Sequence, residues 1–257
     1  MRDVGVTDGA TVVASGFRGW PADATAFLTE LAADNTAQFW SAERHRHTEA
    51  VLPPLRALAA ELAAEFGELR IFRPYRDRRF RPDAPPYRCD AGGVCHSAGG
   101  TARAVVLSGS ALTVEVGRFA FDGPALQAYR AALGGAGAAP VDGATAGPGA
   151  AGTGPGRDVD PTDAAGTAVG ARLAAILADL AARCVVPDDA RLLTRTPRGV
   201  PATHPHADLL RRRALLVRRS WPAGEWLGTR EPLHRVREAW RAAEPLVAWL
   251  DEIVGPA

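Results

Sequence analysis

The chain has 257 residues, a formal net charge of +1, 47% hydrophobic and 23% charged residues, which is long enough to bury a full core and ordinary for a globular protein. A charge balance so close to neutral argues against bulk attraction to nucleic acid or to an anionic membrane. No apolar run reaches bilayer-spanning length, and the first residues lack the basic region and apolar core of a secretory signal, so a cytoplasmic protein without membrane partners is expected.

Residues 1–16, with Gly5, Gly9 and Gly16 and no helical period, are expected to form a flexible leader ahead of a single domain at 17–257. Trp20-Pro21 opens a helix, because proline suits a first turn whose N–H has no partner anyway. Phe27, Leu28 and Leu31 supply its apolar face, and Asp34-Asn35 ends it. A second helix carries Phe39 and Trp40. A third starts at Pro53-Pro54, repeats Leu55, Leu58, Leu62 and Phe66 at spacings of three and four, and closes at Gly67. Arg70–Arg73, Ala102–Leu107 and Leu112–Val116 are predicted strands. The last two flank Ser108-Gly109-Ser110-Ala111, a hairpin signal with its turn at Gly109-Ser110. Asp122 caps a helix from about Pro124 to Leu133. Residues 134–156 are Gly/Ala/Pro low complexity and are expected to be disordered.

Beyond this loop, Val169, Leu173, Ile176, Leu177 and Leu180 mark the buried side of a helix. Arg191–Thr194 and Ala214–Arg218 are further candidate strands. Thr229 caps a terminal amphipathic segment with Leu233, Val236, Trp240, Val247 and Leu250, which Pro245 should kink or split. Helices, then strands, then helices predict an α+β fold: an antiparallel sheet with helices packed on one side. Trp40, Trp226, Trp240 and Trp249 are expected in the core or at helix starts.

Arg70–Arg88, RIFRPYRDRRFRPDAPPYR, departs most from the rest. Seven arginines face two aspartates, a local charge of +5 in a chain of +1, with Phe72, Tyr75, Phe80 and Tyr87 threaded through. All 30 basic residues of the chain are arginine, a bias of the kind that GC-rich coding produces in many actinobacteria, so the choice of Arg over Lys carries little here. Arg73, Arg76, Asp77, Arg79, Tyr87 and Arg88 form the candidate ligand site. Guanidinium forks bind phosphate or carboxylate bidentately, and an Asp can orient one fork or accept a proton. Asp77 is the candidate catalytic residue, and its arginine neighbours should keep it ionised, a base rather than an acid. The competing reading is a structural Arg/Asp network pinning a strand to the helices.

These residues also carry a resemblance. The blocks FLTELAADNTAQFW, RPYRDRRFRPDAPPY, LLTRTPRGVPATHPHADLLRRR and WRAAEPLVAWL occur in order. With them the chain resembles, from about Phe17 to Leu250, the family of bacterial and fungal proteins called domain of unknown function 2461. The resemblance implies a fold and no established activity. It continues on both sides of residues 134–156, which makes that segment an expanded loop within one domain. The chain departs from the family pattern at Ala84, where Asp-Lys-x-Pro-Tyr-Lys becomes Asp83-Ala84-Pro85-Pro86-Tyr87-Arg88. It also has His47 in place of a usual tyrosine, and Gly117-Arg118-Phe119 in place of a Gly-rich turn. If the family site is catalytic, these departures would weaken or alter it.

Thr203-His204-Pro205-His206-Ala207-Asp208 has the opening of the zinc site of metallo-β-lactamase-like hydrolases. Leu209 stands where that signature continues with histidine, and His206 is not a recurring position in the family resembled. A loop leading into a short helix is expected, and no metal or cofactor is assigned. His45 and His47 lie about 200° apart around a helix, cannot share a metal, and are expected at the surface or facing a partner. Cys89, Cys95 and Cys184 form no CxxC pair and are expected as free thiols. Arg211-Arg212-Arg213 and Arg218-Arg219 could touch phosphate backbones, but Leu215–Val217 between them has the pattern of a buried strand, so nucleic-acid binding is the weakest of three readings. The first is an intracellular protein that binds, with or without processing it, a small anionic ligand at the arginine cluster; the second is a non-catalytic protein-interaction domain. Enzymatic activity is left open.

Overall fold

The computed structural model describes residues 16–76, 79, 83–135, 161–188 and 192–255, with side chains from 168 onward in the fourth stretch. The expected leader (apart from Gly16), the expected disordered loop (apart from Gly134 and Gly135) and Asp77 lie outside the described residues.

Among the described residues six strands form one antiparallel sheet: β1 Arg70–Ile71, β2 Asp90–His96, β3 Ala102–Ser108, β4 Ala111–Arg118, β5 Val186–Pro187 and β6 Leu215–Pro222, in the order β1-β2-β3-β4-β6-β5. The β3–β4 hairpin turns at Gly109-Ser110. Ser108 Oγ closes it by accepting from the N–H groups of Ser110 and Ala111. Antiparallel register sets directly opposed residues on one face. Val105 lies opposite Val114, Leu107 opposite Leu112, and Val116 opposite Val217, and all of them enter the main core. The alternate residues Thr113 and Glu115 meet Ser220 and Arg218 on the other face through exposed polar contacts. One face is thus apolar and receives the helices, and the other is largely polar. A small cluster of Val94, Ala102, Ala104 and Phe72 lies apart from the main core.

The helical layer holds α1 Ala22–Ala33, α2 Ala37–Arg46, α3 Leu52–Phe66, α4 Gly123–Ala132, α5 Pro161–Ala182, the short α6 Ala207–Leu210, α7 Glu231–Ala242 and α8 Glu244–Val254. Thr36 caps α2 by accepting from the Phe39 N–H, and Asp122 caps α4 by accepting from Ala125. Gly67 ends α3 at φ +88°, a backbone region that disfavours any side chain. Pro245 divides the terminal segment into α7 and α8, and Trp240 and Trp249 from the two halves are fully buried, the first edge-on to Phe66 and the second edge-on to Tyr129.

The junction of α2 and α3 was not foreseen. A π-helical turn, His47–Val51, joins them into one continuous rod, with the Leu52 N–H donating to the His47 carbonyl five residues back. Pro53 and Pro54 have no N–H to donate, and their rings need room against the preceding turn. A wider turn supplies that room. β2 was also not foreseen, because Asp90-Ala91-Gly92-Gly93 has the composition of a loop. A Cβ at Gly92 would lie 2.2 Å from the Val105 carbonyl oxygen, so the close approach of β3 selects glycine within a strand. The candidate strand at Arg191–Thr194 reduces to an isolated bridge between Leu192 and Arg212, with Arg191 outside the described residues.

Candidate functional site

The site grows from the free edge of the sheet. β1 is the edge strand, and the Phe72 N–H extends its pairing by donating to the Gly92 carbonyl. The chain then leaves the sheet and returns on itself. Tyr75 bridges Tyr87, the Arg76 N–H donates to Pro86, and the Arg88 N–H donates to Pro74. This two-stranded stem brackets the arginine-rich stretch in sequence.

Those stem bonds leave the backbone of Tyr87 facing the helical layer, where Asn35 meets it. Asn35 Oδ1 accepts from the Tyr87 N–H at 3.0 Å, and its Nδ2 donates to the Tyr87 carbonyl at 3.1 Å. The same amide nitrogen reaches the Leu31 carbonyl and Cys89 Sγ. One side chain just beyond α1 therefore pairs with the stem much as a neighbouring strand would. Below it, the buried Tyr87 ring stacks on Trp40 of α2, with centroids 4.6 Å apart and planes 13° apart. Trp40 Nε1 donates to Tyr75 Oη at 3.3 Å. His47 completes the cluster, 5.5 Å from the Trp40 ring and 6.2 Å from that of Phe27. Half-burial there pushes its imidazole pKa below the ordinary value. His47 is thus turned inward, whereas His45 is exposed. The π turn is what aims His47 at the aromatic cluster.

Around the stem lies an open cavity of about 590 Å³, lined by Arg70, Ile71, Phe72, Arg73, Tyr75, Arg76, Ala84 and Arg88. The four arginines are not equivalent. Arg88 lies over the Phe72 ring at 4.6 Å and donates its Nε–H to Asp90 Oδ1 at 2.8 Å. Arg70, Arg73 and Arg76 make no side-chain hydrogen bond or ion pair among the described residues. Burying a cation without a partner is costly. These three stay at an open wall, where solvent or an anion can reach them.

Of the residues singled out from the sequence, Arg73, Arg76 and Arg88 therefore share one cavity. Tyr87 stands behind its wall as a packing residue. Arg79 is not among the lining side chains. Asp77 lies outside the described residues. Sequence reasoning passed over Arg70, Tyr75 and Asn35. The spacing of three from Arg70 through Arg73 to Arg76 was a usable signal for the first; nothing local marks Asn35.

The other candidate motifs serve local structure. His204 Nδ1 accepts from the backbone N–H of His206, and the His206 ring packs on Gly170 of α5. Among the described residues no group of three or more His, Cys, Asp or Glu side chains is placed to hold a metal. Arg211 donates to the Leu193 carbonyl and Arg212 to that of Asp188, so both tie neighbouring loops to the segment that leads into β6. The three cysteines are free, and burial raises the pKa of the Cys95 thiol, which makes it a poor nucleophile. No helix among the described residues is long and apolar enough to cross a membrane.

A family model described as "Conserved hypothetical protein (DUF2461)" matches residues 23–249. The chain belongs to this family. No curated protein and no solved structure matches it. The family match runs from α1 into α8, so it takes in both the stem of the arginine loop and the helices that hold it.

Proposed function

We propose that this DUF2461 member is an intracellular protein that binds a small anion, phosphate- or carboxylate-bearing, in the cavity at the β1 edge. The observation that carries the reading is the division among the lining arginines. Arg88 is committed to Asp90 and Phe72, whereas Arg70, Arg73 and Arg76 have no carboxylate partner among the described residues and border the same open space. Planar guanidinium forks around a concavity suit bidentate contact with tetrahedral or carboxylate oxygens. Asp77, in the same loop, is proposed to orient one fork. Among the described residues, the structural-network alternative accounts for Arg88 but gives Arg70, Arg73 and Arg76 no partner.

Calorimetric titration with inorganic phosphate, sulfate and citrate tests the reading. At least one of these anions should bind the wild-type protein, and the Arg73→Ala/Arg76→Ala double variant should bind it at least about tenfold more weakly, the loss of one charge-assisted hydrogen bond or more. Equal affinity in the two proteins would remove the cavity from consideration.

A further inference from the structure

Three large hydrophobic side chains are exposed among the described residues, and Tyr75, at 58%, is the most open of them. An exposed aromatic ring is ordinarily free to move, but this one is held. Its hydroxyl accepts from the Trp40 indole at 3.3 Å, and its ring meets Trp40 edge-on at 5.8 Å and Tyr87 at 5.5 Å. Its backbone is fixed at the bridge to Tyr87. The anchored edge faces the helical layer, and the ring stays on the cavity wall beside Arg73 and Arg76. Ile71 and Phe72 add further apolar surface to the same wall.

A site for a bare inorganic anion needs charge and donors; it has no use for a rigid, solvent-facing ring. Immobilising Tyr75 in advance removes part of the entropy cost of stacking a ligand on it. We infer that the cavity takes a planar aromatic anion. Its phosphate or carboxylate sits among Arg70, Arg73 and Arg76, and its ring stacks on Tyr75. The inference rests on the anion-binding reading above and adds the class of ligand. A simple aryl phosphate and a nucleoside monophosphate share this chemistry, since either presents a π face next to a charged group.

The test compares inorganic phosphate, cyclohexyl phosphate, phenyl phosphate and adenosine monophosphate by calorimetry on the wild type, Tyr75→Phe and Tyr75→Ala. Phenyl phosphate should bind about tenfold more tightly than inorganic phosphate, a typical gain from stacking on one aromatic side chain. Cyclohexyl phosphate, equally charged but not planar, should gain clearly less. Tyr75→Phe should keep most of the advantage. Tyr75→Ala should abolish it while inorganic phosphate binds as before. Adenosine monophosphate binding more tightly than phenyl phosphate would assign a nucleoside ligand, and the reverse order a simple aryl one. If phosphate binds but phenyl phosphate binds no better, or if the gain survives Tyr75→Ala, this inference is overturned and the anion site stands. If neither these four nor sulfate, citrate and benzoate bind the wild type, both readings fall. The comparison of ligands on the wild type needs no variant, so a folding defect at position 75 cannot mask the answer.

Discussion

Replacing Asn35 by alanine tests whether the arginine loop is held by one side chain. The variant loses both bonds to the Tyr87 backbone, at 3.0 and 3.1 Å, and the shared contact with the Leu31 carbonyl. Tyr87 is buried, with 8% of its surface exposed, so its N–H and carbonyl gain water poorly in exchange. Each bond contributes about 1 kcal/mol net, and a buried group left without a partner costs about 1–3 kcal/mol. A loss of about 2–4 kcal/mol follows, or on the order of 10 °C in Tm for a domain of this size. Urea unfolding should show a lower midpoint at unchanged slope. Hydrogen exchange should localise the effect. The amides of Tyr87, Arg76 and Arg88 should open first, while those of β3 and β4, in the middle of the sheet, stay protected. A loss below about 0.5 kcal/mol, within the range of ordinary surface substitutions, would refute this account of Asn35. Equal loosening of the stem and the central strands would refute it as well.

Two further outcomes follow from the geometry. Gly92→Ala should cost about 3 kcal/mol, since the new Cβ meets the Val105 carbonyl 2.2 Å away and backbone must move; Gly93→Ala, with its nearest atom at 3.3 Å, should cost clearly less by the same denaturant assay. His47 should give a pH signature. Its folded-state pKa lies below the ordinary value of 6.5, so its contribution to stability is complete above that value and is lost as pH falls through the depressed one. His47→Phe should therefore narrow the stability gap between about pH 7.5 and about pH 5, by up to about 1.4 kcal/mol per pH unit across the window; parallel stability curves for the two proteins would contradict that.

The sequence by itself determined the helices, the central hairpin and the class of fold. Each of these is written in local periodicity or in a cap. Leu55, Leu58, Leu62 and Phe66 repeat at helical spacing, Leu112, Val114 and Val116 alternate, and Asp122 and Gly67 mark helix ends through bonds or torsions within a few residues. It also singled out the arginine-rich stretch, because an excess of charge is visible without coordinates. Tertiary structure alone decided what those residues border. β2 is a strand because β3 approaches too closely for a Cβ at Gly92, a constraint no local pattern expresses. The π turn exists to pass two prolines through a continuous rod, and its consequence, His47 on the Trp40 ring, depends on the packing of α1 against α2. Among the described residues, Asp90 and Phe72 set Arg88 apart from the unpartnered Arg70, Arg73 and Arg76, and Trp40 covers the ring of Tyr87 while it meets Tyr75 only edge-on and leaves it exposed. Asn35 lies 52 residues from the backbone it holds. Contacts across such distances depend on how elements dock, and docking is set by the shape of the whole core rather than by any one segment.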